Sequence, residues 1–220
     1  MAKTNTRALA VDPHEPDVGP VEEAAQVLRA GGLVVVPTDT VYGLVCDPGR
    51  PEAVDRIYVA KGRRRDLPLS LLLEHQGQVS EYVHSVPEAA VRAMQQFWPG
   101  ALTVVLGSCK ETVQPVCAGL ESVGLRLPAH LVPRAVAGRA GFALASTSAN
   151  KSGHLSPRTA QEALADLEGV VELVLDAGPA PLGAESTVVS FVSDPPRVLR
   201  EAAIPLARLR DALGAVEMAG

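Results

Sequence analysis

Residues 33–46, LVVVPTDTVYGLVC, place two apolar runs on either side of the polar triplet Thr38-Asp39-Thr40. The first run ends at Pro37 and reads as a short buried strand, and residues 41–46 read as a second strand. The link between them is too short for a helical crossover, so the sheet containing them is mixed rather than all parallel. Upstream, VGPVEEAAQVLRAGG (18–32) reads as a helix: Val21, Ala24, Ala25 and Leu28 share a face, acids crowd the first turn, and Gly31-Gly32 end it. Downstream, Pro51 opens a second helix through PEAVDRIYVAKG that stops at Gly62.

The same alternation continues. PLSLLL is strand-like, and PEAAVRAMQQFWPG is a helix opened by Pro87 and stopped by Pro99-Gly100. ALTVVL, VGLRLP, FALAS, VELVLD, STVVSFV and RVLR read as further strands, with helices at 133–139, 159–167 and 205–213. The fold class is therefore α/β, a twisted mixed sheet flanked by helices. Residues 1–17, rich in Pro and charge, read as a flexible arm, and 18–220 as one domain without repeats or linkers.

With 220 residues, 47% hydrophobic and 20% charged, the chain can bury a substantial core without disulfides or metal. A net charge of −5 argues against a surface given over to nucleic acid, although a local basic groove fits. Cys46, Cys109 and Cys117 form no C-x-x-C pair, which suits a reducing cytosol, and the five histidines lack metal-ligand spacing. The first residues carry no apolar leader core, and no apolar run approaches the ~20 residues that span a bilayer. These features point to a cytoplasmic protein.

Four polar stretches fall at strand ends, where open α/β sheets place ligands. In PTDTVYGL, Thr38, Asp39 and Thr40 either cap their own backbone or meet a small polar ligand. In KGRRRDLPLSLLL (61–73) four cations occupy five residues, either as a solvated helix end or as an anion grip. If that segment is extended, Lys61, Arg63 and Arg65 face one side and Arg64 faces water. ASTSANKSG (145–153) offers Ser146, Thr147, Ser148, Asn150 and Ser152, a plain polar turn or a phosphate cradle. AESTVVSF brings Ser186 and Thr187 to a strand start. Arg126 and Arg200 sit in strand-like contexts, where burial demands a carboxylate or an anionic ligand. No P-loop, dinucleotide fingerprint or G-x-S-x-G elbow occurs.

Taken in order, VVVPTDTVYGL, KGRRRDLPLSLLL, WPGALTVVL, VGLRLPAH, STSANKSG, ESTVV and VLRE resemble the blocks of the YrdC-like family of L-threonylcarbamoyladenylate synthases, across residues 18–204. The resemblance is to the short, single-domain form. It implies a YrdC-like fold around a deep central cavity, in which L-threonine, bicarbonate and ATP give threonylcarbamoyl-AMP and pyrophosphate, the first step of threonylcarbamoyladenosine formation in tRNA. It also implies roles for individual residues. Lys61, Arg63, Ser148 and Asn150 match the catalytic, ATP-binding tetrad; Arg126 and Arg200 match further ATP contacts; Thr40 and Ser186 match the threonine hydroxyl partners. Arg158 or Thr159 matches another nucleotide contact, the register being open. Mg²⁺ is expected with the ATP, with no tightly bound cofactor, and the product passes to threonylcarbamoyl transfer proteins. The chain departs from the pattern at Leu67, Leu72 and Ala202, which bears on substrate affinity and on the turn that aims Arg200. Two other readings stay open: a double-stranded RNA or tRNA binder of the same fold, and a divergent YciO-like protein with another substrate.

Overall fold

The computed structural model describes residues 4–219. The chain enters through β1 (Arg7–Ala10), α1 (Val18–Arg29), β2 (Val34–Val36), β3 (Gly43–Cys46) and α2 (Pro51–Lys61). β4 (Ser70–Leu72), the short α3 (Val79–Tyr82), α4 (Glu88–Phe97), β5 (Leu102–Gly107) and β6 (Ser122–Arg126) follow. The last part holds α5 (Leu131–Ala140), β7 (Leu144–Ser148), α6 (Ala160–Leu167), β8 (Leu173–Asp176), β9 (Thr187–Ser190), β10 (Arg197–Arg200), α7 (Leu206–Leu213) and β11 (Glu217–Met218).

The strands form one sheet in the order β1-β8-β2-β3-β7-β4-β6-β5-β9-β10-β11. β2 and β3 pair antiparallel with Val35 opposite Leu44, as their short link requires. β4 pairs parallel with β6 but antiparallel with β7, and β5 pairs parallel with β9, so the sheet is mixed. Alternation along each strand divides the core. Val34 and Val36 join Leu28, Val132, Val136 and Leu144 under α1 and α5. Val35, Leu44 and Leu71 face the other way, with Ile57, Trp98, Leu102 and Leu125.

Two features differ from the sequence reading. Within the segment read as a flexible arm, Arg7–Ala10 is a strand that pairs parallel with β8, Leu9 opposite Leu175. Its four residues show no clean alternation, and what recruits them is an open sheet edge far along the chain. The first turn of α1 carries no acid, because the helix begins at Val18 and places Glu22 and Glu23 beyond that turn.

Candidate functional site

The face of the sheet covered by α1 and α5 is apolar only where those helices lie. Beyond them its outward positions turn small and polar. Ser146 stands opposite Ser70, Ser70 opposite Gly124, Gly124 opposite Val105 and Val105 opposite Ser190, a row across five strands. This row floors a cleft of about 420 Å³, within the range of ligand pockets. A Cβ on Gly124 would lie 2.9 Å from Ser70 Oγ, so glycine keeps the middle of the floor flat.

Three guanidinium groups, Arg63, Arg126 and Arg200, line this cleft together with Thr40, Ser148 and Ser186. Arg126 is buried, and each of its nitrogens is held: Nε donates to the Gly100 carbonyl (2.9 Å), Nη1 to Thr40 Oγ1 (2.7 Å) and Nη2 to Asp39 Oδ1 (2.6 Å). Asp39 also accepts from the Ala129 amide (3.1 Å). Burial lowers the Arg126 pKa, against the opposing pull of Asp39. Thr40 Oγ1 lies 2.9 Å from Thr38 Oγ1, which donates to the Val41 carbonyl (2.7 Å). Since Thr38 spends its proton there, the Thr40 hydroxyl donates to Thr38 and accepts from Arg126. Its remaining capacity toward a ligand is that of an acceptor.

Arg200 lies across the start of β9. Its Nε and Nη2 donate to the Ser186 carbonyl (3.1 and 2.9 Å), and Nη1 pairs with Glu185. Glu185 in turn accepts from Ser156 Oγ (2.5 Å), tying the strand to the loop after β7. Ser186 Oγ lies 2.8 Å from Thr103 Oγ1. Thr187 is fully buried: its hydroxyl donates to the Ile204 carbonyl (2.8 Å) and accepts from the amides of Ala202 (3.0 Å) and Ile204 (2.8 Å). That lock holds the turn after Arg200, with Ala202 at its start.

Lys61 and Asn150 take a different place from the other matched residues. Lys61 is buried as the last residue of α2, and Gly62 turns the chain with a left-handed φ of 59°. It therefore does not belong to an extended, alternating segment. Its Nζ donates to the carbonyls of Ser148 and Asn150 and to Asn150 Oδ1 (3.3 Å). The Asn150 amide donates to the carbonyls of Lys151 (3.1 Å) and His154 (2.7 Å). Both side chains are thus spent on shaping the loop after β7, while the side chains bordering the cleft are Arg63 and Ser148. Burial pulls the Lys61 pKa down to about 8.

Arg63 donates to the carbonyls of Leu67 (3.3 Å) and Pro68 (3.0 Å) through Nε and Nη2. Arg64 pairs with Asp66 and Arg65 with Asp55, both on the surface. Arg65 therefore faces water and not the side of Arg63. Thr159 N-caps α6, accepting from the Glu162 amide (3.2 Å), while Glu162 accepts from the Arg158 amide (2.6 Å). Neither Arg158 nor Thr159 lines the cleft; Leu72 does, and Leu67 is exposed.

Sequence reasoning passed over Asp39 as an ion-pair partner, and over Glu185, Ser156 and Thr103. A buried arginine demands a carboxylate, and that requirement on Arg126 was the available signal for Asp39. Among the described residues no three His, Cys, Asp or Glu side chains stand together as a metal site. No helix among them is long and apolar enough to cross a membrane.

Comparison with known proteins supplies the context. The family model for Sua5, YciO and YrdC proteins, described as "Telomere recombination", matches residues 26–202. The threonylcarbamoyl-AMP synthase of Bacillus subtilis is 38% identical over 199 residues, covering 90% of this chain and 58% of that protein. The crystal structure of Pyrococcus abyssi Sua5 complexed with L-threonine superposes with a TM-score of 0.93 at 34% identity, covering 97% of this chain and 62% of that one. Escherichia coli YciO gives 0.81 at 25% identity, over 90% of this chain and 96% of that one. The chain thus spans about three fifths of the Bacillus and Pyrococcus relatives it matches. With most of its length matched by the family model and its sheet superposing on those of Sua5 and YciO, the chain belongs to the Sua5/YciO/YrdC family.

Proposed function

We propose that this chain is an L-threonylcarbamoyladenylate synthase, converting L-threonine, bicarbonate and ATP to threonylcarbamoyl-AMP and pyrophosphate as the first step of tRNA threonylcarbamoyladenosine formation. The observation that carries the reading is the convergence of Arg63, Arg126 and Arg200 on one hydroxyl-lined cleft. The threonylcarbamoyl-AMP synthase name of the Bacillus relative and the L-threonine held by the Pyrococcus structure support it.

In this reading threonine's amine combines with bicarbonate, losing water, to give a carbamate. A carbamate oxygen attacks the α-phosphorus and the bond to the bridging oxygen of pyrophosphate breaks. Such a displacement needs positioned charge more than a nucleophilic side chain. Arg63 supplies charge from the β4 side, and Arg200 supplies it from the β9 side. Arg126, restrained on three nitrogens, offers its remaining N–H groups without having to reorganise. Thr40, limited to accepting, suits the amino group of threonine, and Ser186 its hydroxyl or carboxylate. Ser148 faces the nucleotide, while Lys61 and Asn150 keep its loop in shape. The two carboxylates at this site are engaged, Asp39 by Arg126 and Glu185 by Arg200. Mg²⁺ therefore enters with ATP, as part of the substrate. Transfer to tRNA falls to proteins that receive the product.

The test is pyrophosphate release with and without L-threonine, in wild type and Arg63→Ala. Release should require threonine. The variant should lose about 100-fold or more in kcat/KM, the scale of removing one transition-state charge partner. Threonine-independent release, or near-normal turnover in Arg63→Ala, contradicts the assignment. An RNA-binding role draws little support from the basic run, since Lys61 is buried and Arg64 and Arg65 are paired with acids. A YciO-like protein with another substrate would release no pyrophosphate in response to threonine.

A further inference from the structure

The connection between β5 and β6 carries two of the three cysteines, and the chemistry above uses neither. Cys117 is buried and Cys109 is partly exposed, with their sulfur atoms 3.5 Å apart. The Cys117 thiol is directed at Cys109 Sγ and at the Val113 carbonyl (3.2 Å). Gln114 Nε2 donates to Cys109 Sγ (3.4 Å), which fixes the position of that sulfur. The backbone brings the pair together at some cost. Ser108, just before Cys109, and Ala118, just after Cys117, both adopt left-handed φ values, 57° and 53°. Residues with a Cβ hold that conformation where surrounding structure imposes it, and such positions gather at functional sites.

The two cysteines are also anchored at their backbones. Cys109 forms a bridge with Val83, and Cys117 closes the 3₁₀ turn of Glu111–Val116. This connection borders the cleft: the Leu69 amide donates to the Val116 carbonyl (2.9 Å), and Leu69, Leu120 and Ser122 line the cavity.

We propose that Cys109 and Cys117 form a redox-active dithiol site at the rim of the cleft, which hydroperoxides close to an intramolecular disulfide. Cys109, the accessible sulfur, attacks the peroxide O–O bond, giving a sulfenic acid and releasing an alcohol, or water when the oxidant is hydrogen peroxide. Cys117 then attacks that sulfur, the S–S bond forms, and the sulfenic oxygen leaves as water with the thiol proton. The two sulfurs together lose two electrons, and the cleaved O–O bond takes them up. The sulfurs close from 3.5 Å to a bonding distance of about 2.05 Å. Burial and the neighbouring Cys109 hold the Cys117 thiol up to about 12, so Cys109 and not Cys117 is the sulfur that meets the peroxide first. Cys46, fully buried in β3, serves as an internal control.

The test treats the reduced full chain with hydrogen peroxide near stoichiometry, then counts free thiols after denaturation and maps peptides without reductant. Free thiols should fall from three to one. One cross-linked species joining Cys109 to Cys117 should appear, lighter by two hydrogens and restored by dithiothreitol. Cys117→Ser should instead accumulate a sulfenic acid at Cys109 that dimedone traps, and Cys109→Ser should take up no dimedone. Hydrogen exchange at the Leu69 amide should differ between oxidised and reduced wild type. Three free thiols after treatment, a sulfinic acid at Cys109 without cross-link, or a disulfide between two chains overturns the proposal, and none of these outcomes bears on the synthase reading.

Discussion

Asp39 meets Arg126 at 2.6 Å with both side chains almost wholly buried, and the pair fixes the most rigid cation of the cleft. Asp39→Asn keeps the shape but leaves a buried guanidinium without a counter-charge, so stability should fall by about 3 kcal/mol, read by denaturant unfolding. The same variant should lower kcat more than it raises KM, since Arg126 then loses its aim; a stability within 1 kcal/mol of wild type contradicts the buried pair. Lys61 makes a pH prediction. Its folded pKa, about 8, lies below the ordinary 10.5, so between these values the unfolded chain binds more protons. The stability of wild type relative to Lys61→Met should therefore rise with pH from about 8 toward 10.5, and a pH-independent difference contradicts the burial. At this scale the sequence was half legible. Arg63, Arg126, Arg200, Thr40, Ser148 and Ser186 sit in quotable motifs and all reach the cleft. Lys61 and Asn150 share those motifs, yet Lys61 belongs to the last turn of α2 and points under the loop after β7, so the alternation read from residue 61 begins only beyond the helix stop at Gly62.

β9 shows how an element aims a site. Its first residue, Thr187, satisfies two part-buried backbone amides and so sets the turn behind Arg200. Thr187→Val preserves volume but strands both donors, which should cost about 2–4 kcal/mol and release Arg200 from Ser186. Thermal unfolding measures the first effect and loss of threonine-dependent turnover the second; a variant as stable as wild type refutes the lock. The elements around the cleft were readable from strong local patterns: β2 as a continuous apolar run stopped by Pro37, and α1 by the helical spacing of Val21, Ala24, Ala25 and Leu28. β1 was not readable, since RALA spans four residues and owes its conformation to β8. The 3₁₀ turn of Glu111–Val116 was missed for a related reason: a run containing Pro115 has no apolar period to detect.

Across the molecule, the cleft exists because α1 and α5 cover one face of the sheet only in part, leaving the stretch from β3 to β9 for ligands. β1 lies at the far edge, four positions from β7 in strand order, so removing it should separate stability from function. Deleting residues 1–11 should cost about 2–4 kcal/mol, from the lost amide bonds to Gly169, Glu172 and Asp176, while turnover at 25 °C persists. Loss of both would contradict this division. The central claim, that the cleft joins threonine, bicarbonate and ATP, is tested most directly by isotope transfer. The protein is supplied with ¹⁴C-bicarbonate, L-threonine and Mg-ATP, and the products are separated at once. Label is expected in a species that contains both threonine and AMP, formed in equal amount with pyrophosphate and absent when any one substrate is withheld. ATP consumed with no labelled threonine–AMP conjugate would contradict it.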